Sequence, residues 1–162
     1  MTTLGTLIDY KQLVEALADA VIFADLGGAI RFWNPAAERL FGFTEAEALG
    51  SSLDLIVPAR FRERHWAGYN KTMATGQTRY AHDVLRVPAL HKDGRPLPIA
   101  FTVGLLYGPQ RYVTGILAVI HDETARFAED RNLRKQLAEL EQRKPINTTQ
   151  APIRSDEERG SG

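Results

Sequence analysis

One histidine is set apart by its neighbours. His65 lies in the stretch 58–76, PARFRERHWAGYNKTMATG, where helical spacing puts Phe61, His65 and either Gly68 or Tyr69 on a common face. An imidazole flanked by aromatic rings in that way can point into a pocket. His82, His91 and His121 show no metal-ligand spacing such as His-Glu-x-x-His and fall on or beside expected strands, where structural or exposed roles are the ordinary ones. The chain has no cysteine, which excludes a disulfide framework, a thiolate nucleophile, iron-sulfur ligation and covalently attached haem. It also has no Gly-x-Ser-x-Gly elbow, no Gly-x-x-x-x-Gly-Lys phosphate loop and no kinase segment, and its acidic residues scatter over helical faces that read as solvated. Enzymatic activity is not expected. Trp33 and Trp66 read as packing residues, since no basic groove accompanies them.

The elements that would position these residues can be traced along the chain. Leu13, Val14 and Leu17 give residues 10–18 the spacing of a short amphipathic leader helix. The apolar run Val21, Ile22, Phe23 ends at the turn residues Asp25, Leu26, Gly27 and Gly28, and Ile30 and Phe32 then alternate with Arg31 and Trp33, a β-hairpin. Asn34 and Pro35 are an N-cap and a first helical residue, so a helix carrying Leu40 and Phe41 inward starts there and ends at Gly42. Thr44 and Glu47 match a capping box for another short helix stopping near Gly50, and Pro58 opens a longer one that Gly76 terminates.

From Tyr80 onward the pattern predicts three longer strands in an antiparallel meander, the last two over residues 97–106 and 112–121. Both faces of this sheet are apolar, with Ile99, Phe101 and Val103 on one and Ala100, Thr102 and Leu106 on the other. A solvent-facing side would be polar, so the second face should be covered by the leader helix, a partner subunit, or both. Leu133, Leu137 and Leu140 then repeat at the seam spacing of a coiled coil over barely two heptads, too short to be stable alone. The expected organisation is a leader helix over 1–19, a core over 20–122, an exit helix over 123–143 and a disordered tail over 144–162.

With 20 basic and 20 acidic residues the formal net charge is zero, which argues against nucleic acid or an anionic membrane as partner. Apolar runs such as 115–120 fall far short of the roughly 18 residues of a membrane helix, and residues 1–8 lack the plan of a signal peptide. The expectation is a cytoplasmic protein.

Five segments occur in an order that resembles the PAS family across residues 10–125: IRFWNPAAERLFGF (30–43), TEAEALG (44–50), MATG (73–76), HKDG (91–94) and DET (122–124). The resemblance implies an α+β fold, a five-stranded antiparallel sheet with short helices on one face, a leader helix before it and an exit helix after it. It also implies a sensory, dimerising module that binds a small molecule or cofactor between sheet and long helix, and works in signal transduction or transcription regulation. Residues 58–76 are similar, in the histidine and the closing MATG, to the haem-binding helix of oxygen-sensing PAS kinases. By that similarity His65 would be the axial ligand of haem b, with Phe61, Tyr69, Phe101 and Arg86 around the cofactor. Flavin is the second candidate cofactor, without thiol photochemistry. Arg86 stands one residue beyond the place of the ligand-contacting arginine in an ungapped comparison, and on a strand that offset switches faces unless a bulge intervenes.

Asp122 and Thr124 match the family's motif joining the last strand to the exit helix and coupling core to effector, with Glu123 where the family usually has an aliphatic residue. Physically, Asp122 can also serve as an ordinary helix cap. A chain complete from Met1 would act in trans on an effector protein, as a homodimer formed through the leader helix, the outer sheet face and Leu133, Leu137 and Leu140. The competing reading is a ligand-free dimerisation or docking adaptor, its core packed shut by Phe41, Phe61, Tyr69 and Phe101.

Overall fold

The computed structural model describes residues 7–143, so the tail expected over 144–162 lies outside the described residues. The chain divides into two units, one ending at Ala128 and one beginning at Glu129. In the first, β1 (Ala20–Asp25), β2 (Ile30–Trp33), β3 (Leu85–Leu90), β4 (Pro96–Tyr107) and β5 (Val113–Asp122) form one antiparallel sheet in the order β2-β1-β5-β4-β3. The meander β3-β4-β5 is the expected one, and the N-terminal hairpin joins it through β1 beside β5. Helices α1 (Tyr10–Glu15), α2 (Pro35–Phe41), α3 (Glu45–Ala48) and α4 (Arg62–Thr75) complete this unit, and α5 (Thr124–Gln142) starts in it. The α+β architecture implied by the resemblance is the one observed.

Local signals set most helix ends. Asn34 caps α2 and Gly42 closes it in the left-handed conformation, while Thr44 and Glu47 form the reciprocal capping box of α3. Ion pairing of Glu47 with Lys92 then fastens α3 to the β3–β4 turn. The inner sheet face and α2, α3 and α4 share one core, which includes Ile22, Ile30, Trp33, Phe41, Tyr69, Leu97, Ile99 and Ile120. Trp33 and Phe41 are fully buried with ring centroids 5.4 Å apart, and the Trp33 indole N–H is satisfied by the Phe43 carbonyl at 3.1 Å.

Asn34 is the buried polar residue of this core. Its Oδ1 accepts from the backbone N–H of Val21 (2.9 Å) and Ala37 (3.0 Å), and its Nδ2 donates to the carbonyls of Val14 (3.2 Å) and Asp19 (3.0 Å). One amide with all four bonds made joins α1, β1 and α2. The leader helix stops at Glu15 instead of reaching Ala18, and the Val14 carbonyl there accepts both the Leu17 N–H (3.4 Å) and the Asn34 amide (3.2 Å).

Two other expected boundaries shift. The long helix starts as a 3-10 turn, Ala59–Phe61, before α4 proper. The strand expected from Tyr80 begins only at Leu85, because Thr78 caps a 3-10 turn, Arg79–Ala81, through the Tyr80 N–H (3.1 Å). Local capping wins there over the alternation of residues 82–87.

The outer face of the sheet is partly covered by the leader. Tyr10, Lys11, Val14 and Leu17 wall an apolar groove of about 420 Å³ whose floor includes Val21, Phe23, Phe32, Leu106, Leu117 and Val119. Both sheet edges are short: β2 has four residues, with Ile30 bonded to Gly50 and Ser51, and β3 has six, interrupted by Pro88. Among the described residues no helix is long and apolar enough to cross a membrane.

Candidate functional site

Helix α4 has a polar sequence and buries fully one side chain, Tyr69, so its seat depends on few anchors. His65, Trp66 and Tyr69 form an aromatic cluster on it, with ring centroids 4.8 Å apart for His65–Trp66, 5.3 Å for Trp66–Tyr69 and 5.9 Å for His65–Tyr69. The Trp66 indole N–H donates to Asp54 Oδ1 (2.8 Å), and the Tyr69 hydroxyl donates to the Asp25 carbonyl. Arg62 adds bonds to the carbonyls of Val57 and Asp54, both 3.1 Å, and lies 3.7 Å from the Asp54 carboxylate.

The β1–β2 turn is shaped to receive this cluster. Asp25 Oδ1 accepts from the N–H of Gly27 and Ala29, each at 3.0 Å, and Oδ2 pairs with Arg31 at 2.7 Å, which holds the Asp25 carboxyl below its usual range. Gly28 has φ +79°, and a Cβ there would stand 2.1 Å from the Trp66 ring. Only glycine meets both demands.

His65 itself is half-buried, and its Nδ1 is buried with no hydrogen-bond partner. Burial lowers its pKa below the ordinary imidazole value, and the Asp54 charge opposes this in part. The ring is therefore neutral at neutral pH, the form that ligates metal. Burial, with the Asp25 charge second, drives the Tyr69 phenol well above its ordinary value and keeps it protonated.

The remaining expected site residues divide. Phe101 stands on the inner face of β4, packed against the core to which Tyr69 belongs. Phe61 ends the 3-10 turn before α4 with the Arg60 guanidinium 4.6 Å over its ring. Arg86 is not brought to His65. It pairs in register with Ala100 between Leu85 and Val87, the ladder has no bulge there, and its half-exposed side chain lies 3.9 Å from Glu123. Strand parity sets Val87, a core residue, on the inner face and Arg86 on the outer one. Of the groups that the implied haem would need, the histidine nitrogen fits, being buried, neutral and unpartnered, and the arginine does not.

Asp122 Oδ1 accepts from the Thr124 N–H (2.9 Å) and hydroxyl (2.5 Å), closing the start of α5. Leu133, Leu137 and Leu140 are exposed along α5. His82 is exposed, His91 Nδ1 accepts from the Asp93 N–H (3.1 Å), and His121 lies 2.8 Å from Asp19, whose hydrogen bond raises its pKa. No group of three or more candidate metal ligands occurs among the described residues. Sequence reasoning missed Asp54 and Gly28, whose roles depend on Trp66 reaching them from a distant helix.

Comparison with known proteins adds three findings. The family model described as "PAS fold" matches residues 8–122. Two curated relatives are similar: an uncharacterised protein of Azorhizobium caulinodans, 36% identical over 94 residues (57% of this chain, 13% of that protein), and the sensor protein FixL of Bradyrhizobium diazoefficiens, 26% identical over 131 residues (80% of this chain, 26% of that protein). The chain thus spans a small part of each. Among solved structures, a PAS domain from Colwellia psychrerythraea superposes with a TM-score of 0.61 at 22% identity, covering 70% of this chain and 92% of that one.

Proposed function

The chain belongs to the PAS-fold family, and from that premise we propose that it is a cytoplasmic sensory module that takes a small molecule, haem b first among the candidates, at the His65 side of α4. Its relationship to a sensor protein supports a signalling role. The observation that carries the ligand assignment is the buried, unpartnered Nδ1 of His65. A native core leaves few such groups without reason, and a ligand is one reason.

In this reading His65 supplies the nitrogen and Tyr69, Trp66 and Phe101 the apolar surroundings. Haem, when bound, supplies an iron able to take a diatomic gas. Burial favours the neutral, available form of His65, and the anchors of Trp66 on Asp54 and Tyr69 on Asp25 carry any displacement of α4 to the turn at residues 53–55 and to the end of β1. The change is relayed through Asp122 and Thr124 into α5 and on to an effector protein. The adaptor reading is favoured by one observation, the close filling of the core by Phe41 and Tyr69.

The test is the visible spectrum of protein produced with a haem supply. A Soret band present in the wild type and lost in a folded His65→Ala variant is expected. A colourless protein after haem titration overturns the haem assignment and leaves an uncoloured ligand or the adaptor.

We further propose a homodimer, supported by the apolar groove beside α1 and by the exposed Leu13, Leu106, Leu133 and Leu137. Sedimentation at high protein concentration should give a dimer, and Leu133→Asp with Leu137→Asp should weaken it without unfolding the domain. A monomer at every concentration sinks the proposal.

A further inference from the structure

Glu123 occupies the place where the resembled family usually carries an aliphatic residue, yet its surroundings suit a carboxylate. The side chain is 15% exposed, with Oε2 3.0 Å from Arg126 in the first turn of α5 and 3.9 Å from Arg86 on β3. Its backbone N–H donates to the Pro98 carbonyl on β4 (2.9 Å), and its carbonyl accepts from the Phe127 N–H (2.8 Å). One residue thus ties β3, β4 and the start of α5 together. A carboxylate at a helix N-terminus also meets the positive end of the helix dipole.

We propose that the Arg86–Glu123 ion pair couples β3 to the first turn of α5, doing by charge what packing of an aliphatic residue would otherwise do. Arg86 is then a relay residue and not a cofactor contact. Its position on β3 gives the coupling a direction. β3 is the edge strand that follows α4, and Leu85 and Val87 on either side of Arg86 meet Phe101 and Ile99 across the ladder. Arg86 and Val87 are consecutive on one extended backbone with side chains on opposite faces, so a shift of the strand at Val87 in the core also shifts Arg86 on the outer face. At 3.9 Å the Arg86–Glu123 attraction is weaker than that of Arg126 at 3.0 Å, and it grows or fades steadily as β3 approaches or leaves the start of α5. Coupling of this kind is reciprocal: the free energy by which an ordered β3 favours an ordered start of α5 equals that by which α5 favours β3.

The inference rests on the sensory reading for its purpose, so its test uses the ligand-free full chain. Hydrogen exchange is followed in the first turn of α5 and in β3 for wild type, Arg86→Gln, Glu123→Ile and the double variant. Arg86→Gln alters a half-exposed side chain on β3, and it should speed exchange in the first turn of α5 by up to about five-fold, the reach of a partly exposed ion pair. In the Glu123→Ile background the same change should have no effect there. Unchanged exchange in α5 on Arg86→Gln, or an equal effect in both backgrounds, overturns the proposal. Since haem plays no part in the readout, failure to bind haem and failure of the coupling are seen separately.

Discussion

Asn34→Leu is expected to lower the stability of the domain by about 3–4 kcal/mol, measured as a shift in the urea midpoint at unchanged slope. Leucine has the same number and branching of side-chain heavy atoms as asparagine and is bulkier, so no cavity is left and the loss arises first from hydrogen bonding. It would leave the N–H of Val21 and the carbonyl of Asp19 short of a partner in or near the core, while the Ala37 N–H keeps the Asn34 backbone carbonyl (3.0 Å) and the Val14 carbonyl keeps the Leu17 N–H (3.4 Å). Each buried group so orphaned costs about 1–3 kcal/mol, less where water can reach it, and the cap of α2 is lost as well. Asn34→Asp separates donors from acceptors. It keeps the bonds to Val21 and Ala37 but turns a carboxylate oxygen toward two carbonyls, and should detach the leader from the sheet while α2 stays capped. A stability change under about 1 kcal/mol for Asn34→Leu would show that the four bonds are replaced by water at no cost.

The second large effect is at Gly28. Gly28→Ala should destabilise by about 2–4 kcal/mol, from a left-handed backbone that alanine resists and from a Cβ placed inside the Trp66 ring. The ring cannot be passed over lightly, because its N–H is held by Asp54. Tryptophan emission should shift as Trp66 leaves its seat, while Trp33 stays buried. In a Trp66→Leu background the obstruction is removed and Gly28→Ala should cost only the backbone share, about 1 kcal/mol. An equal cost in both backgrounds would mean that Trp66 yields freely and has no hold on α4.

What could be read from the sequence follows the range of the interactions. The caps at Asn34, Thr44 and Gly76 depend on residues within a few positions, and each stands where its local pattern put it. The strands β4 and β5 were legible because both run ten or more residues with clear turn residues between them. The start of β3 was not, since the alternation of 82–87 looks the same whether or not Thr78 has already bent the chain. Asn34 as a cap was visible, but its bonds to Val14, Asp19 and Val21 join positions 13 to 20 residues away and leave no mark on the sequence. Arg86 is a further case. The family comparison suggested the pocket, and the simple parity of an unbulged ladder sends it to the opposite face.

The blunt edges of the sheet bear on how the chain avoids aggregation. An unpaired rim of backbone donors and acceptors recruits strands from other molecules and can grow into fibres. Here the outer rim of β2 is bonded at Ile30 by residues 50 and 51, and Pro88 strikes a donor from the rim of β3. The two edges therefore offer little template for strand-by-strand growth when the chain is concentrated. Exposed apolar side chains such as Leu106, Leu133 and Leu137 are tolerated more safely in a domain whose strands offer no template to extend.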